Sequence, residues 1–230
     1  MLILGIDTSS EKGFIFIGGK EDILISRNFS EHSISGEIFP ALNNLLKAKK
    51  IKLNDLQGIV VGLGPGSFTG LRVGLSLAKS LSFSLKIPLV GIPTLDYLAF
   101  SIPLQGIVCP VRQAYGGCYY AGFFEKKKEE MVKRSNYLFL PLEKIIKEAK
   151  KIYPQKVTFF SSPEVSRIFL KFKGGGNFSF FQGEVQPKIA LLELGLRKIK
   201  KGKIDNIDTL TPLYISPPRI TRKRHSPQRL

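Results

Sequence analysis

Two stretches of this chain combine residue types that handle phosphates and metal ions in α/β proteins. The first is Asp7-Thr8-Ser9-Ser10, an acid followed by three hydroxyls at the end of the apolar run from Leu2 to Ile6. A carboxyl and hydroxyls at a strand end can hold a phosphate or a metal-bound water, and the same residues also make an ordinary hydroxyl-rich turn. The second is Gly64-Pro65-Gly66-Ser67-Phe68-Thr69-Gly70-Leu71-Arg72-Val73-Gly74, which follows Ile59-Val60-Val61 and opens a long amphipathic segment. Glycine loses more backbone entropy on folding than any other residue, so this density of it marks a close approach to backbone.

The glycine stretch fails the common chemical fingerprints. No Lys-Ser/Thr pair follows Gly70, which removes the Walker-type phosphate loop. The third glycine of a dinucleotide loop is missing, and Ser67 does not sit in the G-x-S-x-G setting of a nucleophile elbow. A tight turn with Ser67 or Thr69 as helix N-cap accounts for the local sequence. The two histidines, His32 and His225, are far apart and unaccompanied, so neither a metal site nor a Ser-His-Asp set follows. We therefore expect no catalytic and no metal-binding residue.

The positioning elements follow from periodicity. Leu2–Asp7, Gly13–Ile17 and Ile23–Phe29 read as strands, with the polar turn Thr8-Ser9-Ser10-Glu11-Lys12 between the first two. Residues 34–50 have apolar positions at helical spacing, with Pro40 expected to start or bend that helix. Then come a strand at Gly58–Val61, a helix from about Thr69 to Leu85, a strand at Lys86–Gly91 and a helix from Asp96. In the helix after the loop, Gly70, Gly74 and Ala78 recur every four residues on one face. A mid-helix glycine costs about 1 kcal/mol relative to alanine, so the stripe serves close packing. Both packing on the sheet and docking of another subunit remain open. Further on, Val108–Val111 and Tyr119–Phe124 open a second sheet, Glu125–Glu130 reads as a charged turn, Pro141–Ile152 as a basic helix, Val157–Phe160 as a strand, Gly174–Asn177 as a flexible loop and Leu191–Ile199 as a last helix.

Composition narrows the class. At 230 residues, 43% hydrophobic, the chain can bury a sizeable core. No apolar run is long enough to span a membrane, and the N-terminus reads as a buried strand rather than a signal peptide. Two cysteines, Cys109 and Cys118, make no disulfide framework, so the cytoplasm is the expected compartment. The net charge of +17 is uneven: residues 1–100 carry 10 basic and 8 acidic side chains, whereas residues 197–230 carry 10 and 2. Such a gradient suits a polyanionic partner as well as a solvated basic surface.

Taken together, Leu4-Gly5-Ile6-Asp7-Thr8-Ser9, the glycine stretch and Pro88-Leu89-Val90-Gly91-Ile92-Pro93-Thr94-Leu95 resemble the bacterial TsaB (YeaZ) family, strongly over residues 1–100 and more weakly at Gly117-Cys118-Tyr119-Tyr120-Ala121 and Pro212-Leu213-Tyr214-Ile215. The resemblance implies a two-lobed α/β fold of the actin/Hsp70/sugar-kinase (ASKHA) kind, with mixed sheets under helical cover. Its first lobe, 1–104, would be completed by about 187–216. Residues 105–186 would form a second, degenerate lobe, and 217–230 a basic, flexible tail. It also implies a non-catalytic scaffold for making threonylcarbamoyladenosine beside the tRNA anticodon. That scaffold would bind the transferase TsaD through first-lobe helices, together with TsaE, while TsaC supplies the threonylcarbamoyl-adenylate. Carried onto this sequence, the interface would use Ile38, Leu42, Leu45, Gly70, Leu71, Gly74, Leu75 and Ala78, and Asp7, Thr8 and Ser9 would be a vestigial phosphate site. No cofactor would bind the chain alone; ATP and a metal ion belong to the partner complex, tRNA is reached through it, and homodimerisation stays open.

Two comparisons within that resemblance bear on catalysis. TsaD carries a metal-binding H-x-x-x-H where this sequence has Thr94 and Leu98, and leucine cannot bind a metal. The TsaB pattern D-A-R-x-G-E-V-Y corresponds here to Arg112-Gln113-Ala114-Tyr115-Gly116-Gly117-Cys118-Tyr119. Arg112 replaces an acid that in actin-like folds helps hold the metal–nucleotide phosphates, and a guanidinium cannot coordinate a cation. The competing readings are a free-standing actin-like ATPase or kinase using Asp7 and the glycine loop, and a basic RNA-binding module.

Overall fold

The computed structural model describes residues 1–10, 13–20, 22–29, 34–128, 130–153, 156–171 and 177–216. Lys12, His32, the glycines 174–176 and the tail 217–230, on which sequence expectations fall, lie outside the described residues.

The first sheet has the strand order β3-β2-β1-β4-β5, with β1 Leu2–Asp7, β2 Phe14–Gly19, β3 Asp22–Asn28, β4 Gly58–Gly62 and β5 Leu89–Ile92. The β1–β2–β3 meander is antiparallel, while β1, β4 and β5 run parallel. Strands β1 and β4 are apolar on both faces because helices cover both, whereas the edge strand β3 alternates and is largely exposed. Helices α1 (Ile34–Ala48) and α2 (Phe68–Leu85) bury Ile38, Leu42, Leu45, Leu75 and Ala78 against one face. Pro40 lies inside α1 on its exposed side. Helix α3 (Thr94–Ser101) and helix α6 (Pro187–Lys200) cover the other face, where Leu191, Leu192 and Leu196 meet Ile3, Phe16 and Val60.

The second sheet, of seven strands, has the path β10-β7-β6-β11-β12, with β8 pairing β6 and β9. Its strands are β6 Gly106–Gln113, β7 Cys118–Ala121, β8 Phe124–Lys127, β9 Glu130–Lys133, β10 Leu138–Pro141, β11 Val157–Phe160 and β12 Phe178–Phe180. Helix α4 (Leu142–Ile152) and helix α5 (Pro163–Lys171) complete this lobe, and Ile145, Ala149, Val165 and Phe169 pack with Phe159. The expected charged turn Glu125–Glu130 is instead the β8–β9 hairpin. Its alternation is masked because the inward position after Phe124 is a lysine, Lys126, buried with its ammonium on the Phe100 and Ile102 carbonyls.

The lobes share a core of Leu95, Ala99 and Ile102 from α3 with Val108, Tyr120 and Phe124 from the second sheet. After α6 the chain returns along the first lobe. Asp205 N donates to Leu89 O (2.9 Å), Leu213 N to Leu63 O (2.8 Å), and the Ser216 hydroxyl lies 3.0 Å from that of Tyr120.

Candidate functional site

At the carboxyl end of β1, Asp7, Thr8 and Ser9 are almost wholly buried, with exposures of 2%, 1% and 1%. Asp7 Oδ1 accepts from the backbone N of Ser9 (2.7 Å) and from Ser9 Oγ (2.6 Å). Asp7 Oδ2 accepts from the Tyr97 hydroxyl (2.8 Å) and from Thr94 Oγ1 (3.3 Å). The Arg112 guanidinium reaches across from the second lobe and donates to Ser9 Oγ (2.9 Å). Burial, and next the facing Asp7 carboxyl, push the Tyr97 phenol well above its usual value, so it stays protonated and serves as a donor. Both carboxyl oxygens of Asp7 are thus saturated by the chain itself.

The glycine loop closes on the same turn. Ser67 N donates to Ser9 O (2.8 Å), and Thr8 Oγ1 donates to Gly70 O (2.7 Å). A Cβ on Gly66 would stand 1.9 Å from Ser9 O, one on Gly70 2.1 Å from Thr8 O, and one on Gly74 2.2 Å from Thr8 Oγ1. The glycines therefore admit the backbone and hydroxyl of the β1–β2 turn. Ser67 is the N-cap of α2, its hydroxyl accepting from Gly70 N (3.3 Å).

Sequence reasoning brought Asp7, Thr8, Ser9, Thr94 and Arg112 to notice, and they converge here. It missed Tyr97, because a tyrosine on an apolar helix reads as core until the fold sets it opposite a buried acid. Leu98 faces apolar neighbours on the α6 side instead of joining the polar cluster.

A metal–nucleotide does not fit this arrangement. Asp7 has no free lone-pair direction, the loop amide of Ser67 is taken, and a fixed cation, Arg112, stands where a metal's ligand is needed. The polar groups of Asp7, Thr8 and Ser9 are therefore taken up by partners within the chain. Among the described residues no group of three His, Cys, Asp or Glu side chains could hold a metal ion.

The expected interface residues require correction. Ile38, Leu42, Leu45, Gly70, Leu71, Gly74, Leu75 and Ala78 are all buried within this chain. The small-residue stripe faces the end of β1, and the leucines fill the layer between α1, α2 and the sheet. Periodicity locates an apolar face but does not say whether the sheet or a partner covers it. The outer face of the same layer carries Phe39 and Asn43 on α1, and Arg72, Ser76, Ser80 and Phe83 on α2, all exposed. Phe83 (76%) and Phe39 (61%) are the most exposed large apolar side chains among the described residues.

Residues 26–192 match the family model described as TsaD: tRNA N6-adenosine threonylcarbamoyltransferase. Over 155 residues the chain is 34% identical to the tRNA threonylcarbamoyladenosine biosynthesis protein TsaB of Bacillus subtilis, covering 64% of this chain and 67% of that one. The TsaB protein of Buchnera aphidicola (Schizaphis graminum) is 43% identical over 100 residues, covering 43% of this chain and 47% of that protein, so the match spans less than half of its length. Among solved structures, YeaZ from Pseudomonas aeruginosa superposes with a TM-score of 0.73 at 19% identity, over 93% of this chain and 99% of that one. A ROK family protein from Streptococcus pneumoniae aligns with a TM-score of 0.50 at 11% identity, covering 87% of this chain and 100% of that one, which places the fold in the ASKHA class. With the two-sheet architecture, the glycine loop seated on the Asp7 turn and these matches, the chain belongs to the TsaB (YeaZ) family.

Proposed function

We propose that this chain is a non-catalytic scaffold in the synthesis of threonylcarbamoyladenosine on tRNA, docking a TsaD-type transferase. The observation that carries this reading is the filled cleft. Ser9, Tyr97 and Thr94 satisfy the carboxyl that an ATPase or kinase of this fold would offer to a metal, Arg112 holds the Ser9 hydroxyl beside it, and backbone occupies the glycine loop. Chemistry and its cofactors, ATP and a metal ion, then belong to the partner complex, with TsaE joining it and tRNA reached through it. The docking face is the outer side of α1 and α2, where Phe39 and Phe83 stand exposed and Ser76 and Ser80 allow another helix to approach closely.

The test is size-exclusion chromatography of the chain mixed with the TsaD-type transferase of the same genome. A joint peak is expected, and it should be lost in the Phe39→Ser/Phe83→Ser variant while the variant's melting temperature changes little. Separate peaks for the unaltered chain in every nucleotide state would overturn the proposal. The ATPase alternative predicts tight binding of Mg-ATP to the isolated chain in calorimetry, and we expect none.

A further inference from the structure

The near-neutral charge of the first hundred residues conceals a charged pole. The register sets Leu2 opposite Gly19 and Ile3 opposite Gly58, with Ile59 opposite Leu89. The β2–β3 turn and the starts of β1, β4 and β5 thus lie along one edge of the first sheet, at the end away from Asp7. Helices α1 and α2 end there, as does α6, whose Ile199 lies beside Gly58 and Met1.

Each of these chain reversals carries exposed lysine. Lys20 sits in the β2–β3 turn. Lys47, Lys49, Lys50 and Lys52 close α1 and lead into β4. Lys86 caps α2, and Lys200, Lys201 and Lys203 follow α6. Lys20, Lys50 and Lys86 hold positive φ of 56°, 54° and 54°, in positions where glycine or asparagine would adopt the left-handed conformation at lower cost.

Three described acids at this end are committed to backbone amides. Asp22 accepts from Ile23 N (2.7 Å), Asp55 from Lys52 N (2.8 Å) and Asp205 from Gly91 N (2.8 Å). None of the pole lysines forms an ion pair with another described residue.

We propose that this pole is a docking surface for the phosphate backbone of RNA. Five strands at about 4.8 Å spacing make an edge roughly 19 Å wide, long enough to follow a few successive phosphates of an RNA strand. The cations are all lysines, which are point charges suited to phosphate rather than forks that read base edges. Among the described residues, the exposed large apolar side chains near this end, Met1, Leu24, Phe83 and Ile204, are scattered over a terminus, an edge strand, a helix end and a turn, unlike the continuous face of an amphipathic helix that a membrane surface requires. The inference rests on the tRNA-linked role proposed above, yet it can fail separately, because the pole is read against RNA and the Phe39/Phe83 face against the transferase.

The experiment measures binding of an unmodified tRNA transcript to the full chain by fluorescence anisotropy across a salt series. A variant with Lys47, Lys49, Lys200 and Lys201 changed to Gln is compared with one changed at Lys144, Lys147, Lys151 and Lys156, on or just after α4. The pole variant should lose about tenfold or more in affinity, and its log K against log salt slope should fall by about 3. The α4 variant should stay within about twofold of the unaltered chain. Independently of any variant, tRNA should protect Lys49, Lys200 and Lys201 of the unaltered chain from acetylation while Lys144 and Lys147 keep reacting. Equal losses in both variants, an unchanged pole variant, absence of protection, or a pole that engages phosphatidylserine vesicles but not tRNA would each overturn the proposal.

Discussion

At the residue scale, the Asp7 turn is a polar site turned inward. A buried carboxyl needs partners for both oxygens, and this chain supplies them from two separate elements: Ser9 from the β1–β2 turn, and Thr94 and Tyr97 from α3. Tyr97→Phe removes the 2.8 Å donor and leaves Oδ2 with only the longer Thr94 contact. The ring stays packed near Phe14, so the loss isolates the hydroxyl. We expect a destabilisation of about 1–2 kcal/mol, the cost of under-satisfying one buried polar atom, read as a lower urea midpoint with an unchanged slope. An unchanged midpoint would mean that water or another donor replaces the phenol. The sequence made most of this site legible, since an acid followed by hydroxyls and an arginine in an acid's place are visible as residue types. Tyr97 was not, because its role depends on β5 and α3 carrying it across the sheet to Asp7.

At the scale of elements, the alternation of strands and helices through the first lobe was legible, because long periodic segments were bounded by glycine and proline. The short strands β9, β10 and β12 and helix α5 were not. They are three- to nine-residue pieces, β10 and β12 being too short to show a period and β9 and α5 being interrupted by charges, and the helix opens on Ser161-Ser162-Pro163 rather than on a strong apolar stripe. The Gly70-Gly74-Ala78 stripe was visible but left two destinations open, and the structure resolves them by distance. With Thr8 Oγ1 only 2.2 Å from the Cβ that residue 74 would carry, even alanine must push α2 off β1 or displace the Thr8 hydroxyl from Gly70 O. Gly74→Ala should therefore cost about 1–3 kcal/mol, as overpacking does, although alanine has the better helix propensity. Denaturation of the variant checks this; a gain in stability would mean that the turn yields freely and that the stripe faces open space. The contrast with Phe83 on the same helix separates packing from docking, because an exposed residue there should change stability by no more than about 0.5 kcal/mol.

At the scale of the whole molecule, the lobes are held together rather than hinged around an open cleft. Arg112 donates to Ser9, Tyr137 to Asp96 (2.7 Å), and Lys126 to the last carbonyls of α3, while Leu95, Ala99 and Ile102 fill the seam with Tyr120 and Phe124. Actin-like enzymes work by closing two lobes around a nucleotide; here the closing contacts are already made by side chains. We therefore expect one calorimetric unfolding transition for both lobes, with calorimetric and van't Hoff enthalpies in agreement. The transition should also ignore nucleotide. A site with a dissociation constant of about 10 μM would, in about 1 mM Mg-ATP, stabilise the fold by about 2.7 kcal/mol. In a protein of this size that raises the melting temperature by roughly 5–10 °C. A shift below about 1 °C, within the scatter of a scan, is expected instead. Two separate transitions would show that the seam does not couple the lobes, and a rise of several degrees with Mg-ATP would show that Arg112 gives way to a nucleotide. Leu95→Ala tests the seam itself. Its side chain is fully buried between the lobes, so truncation should cost about 2–5 kcal/mol and broaden or split the transition, whereas an equal truncation inside either sheet's own core should lower the midpoint and leave it single.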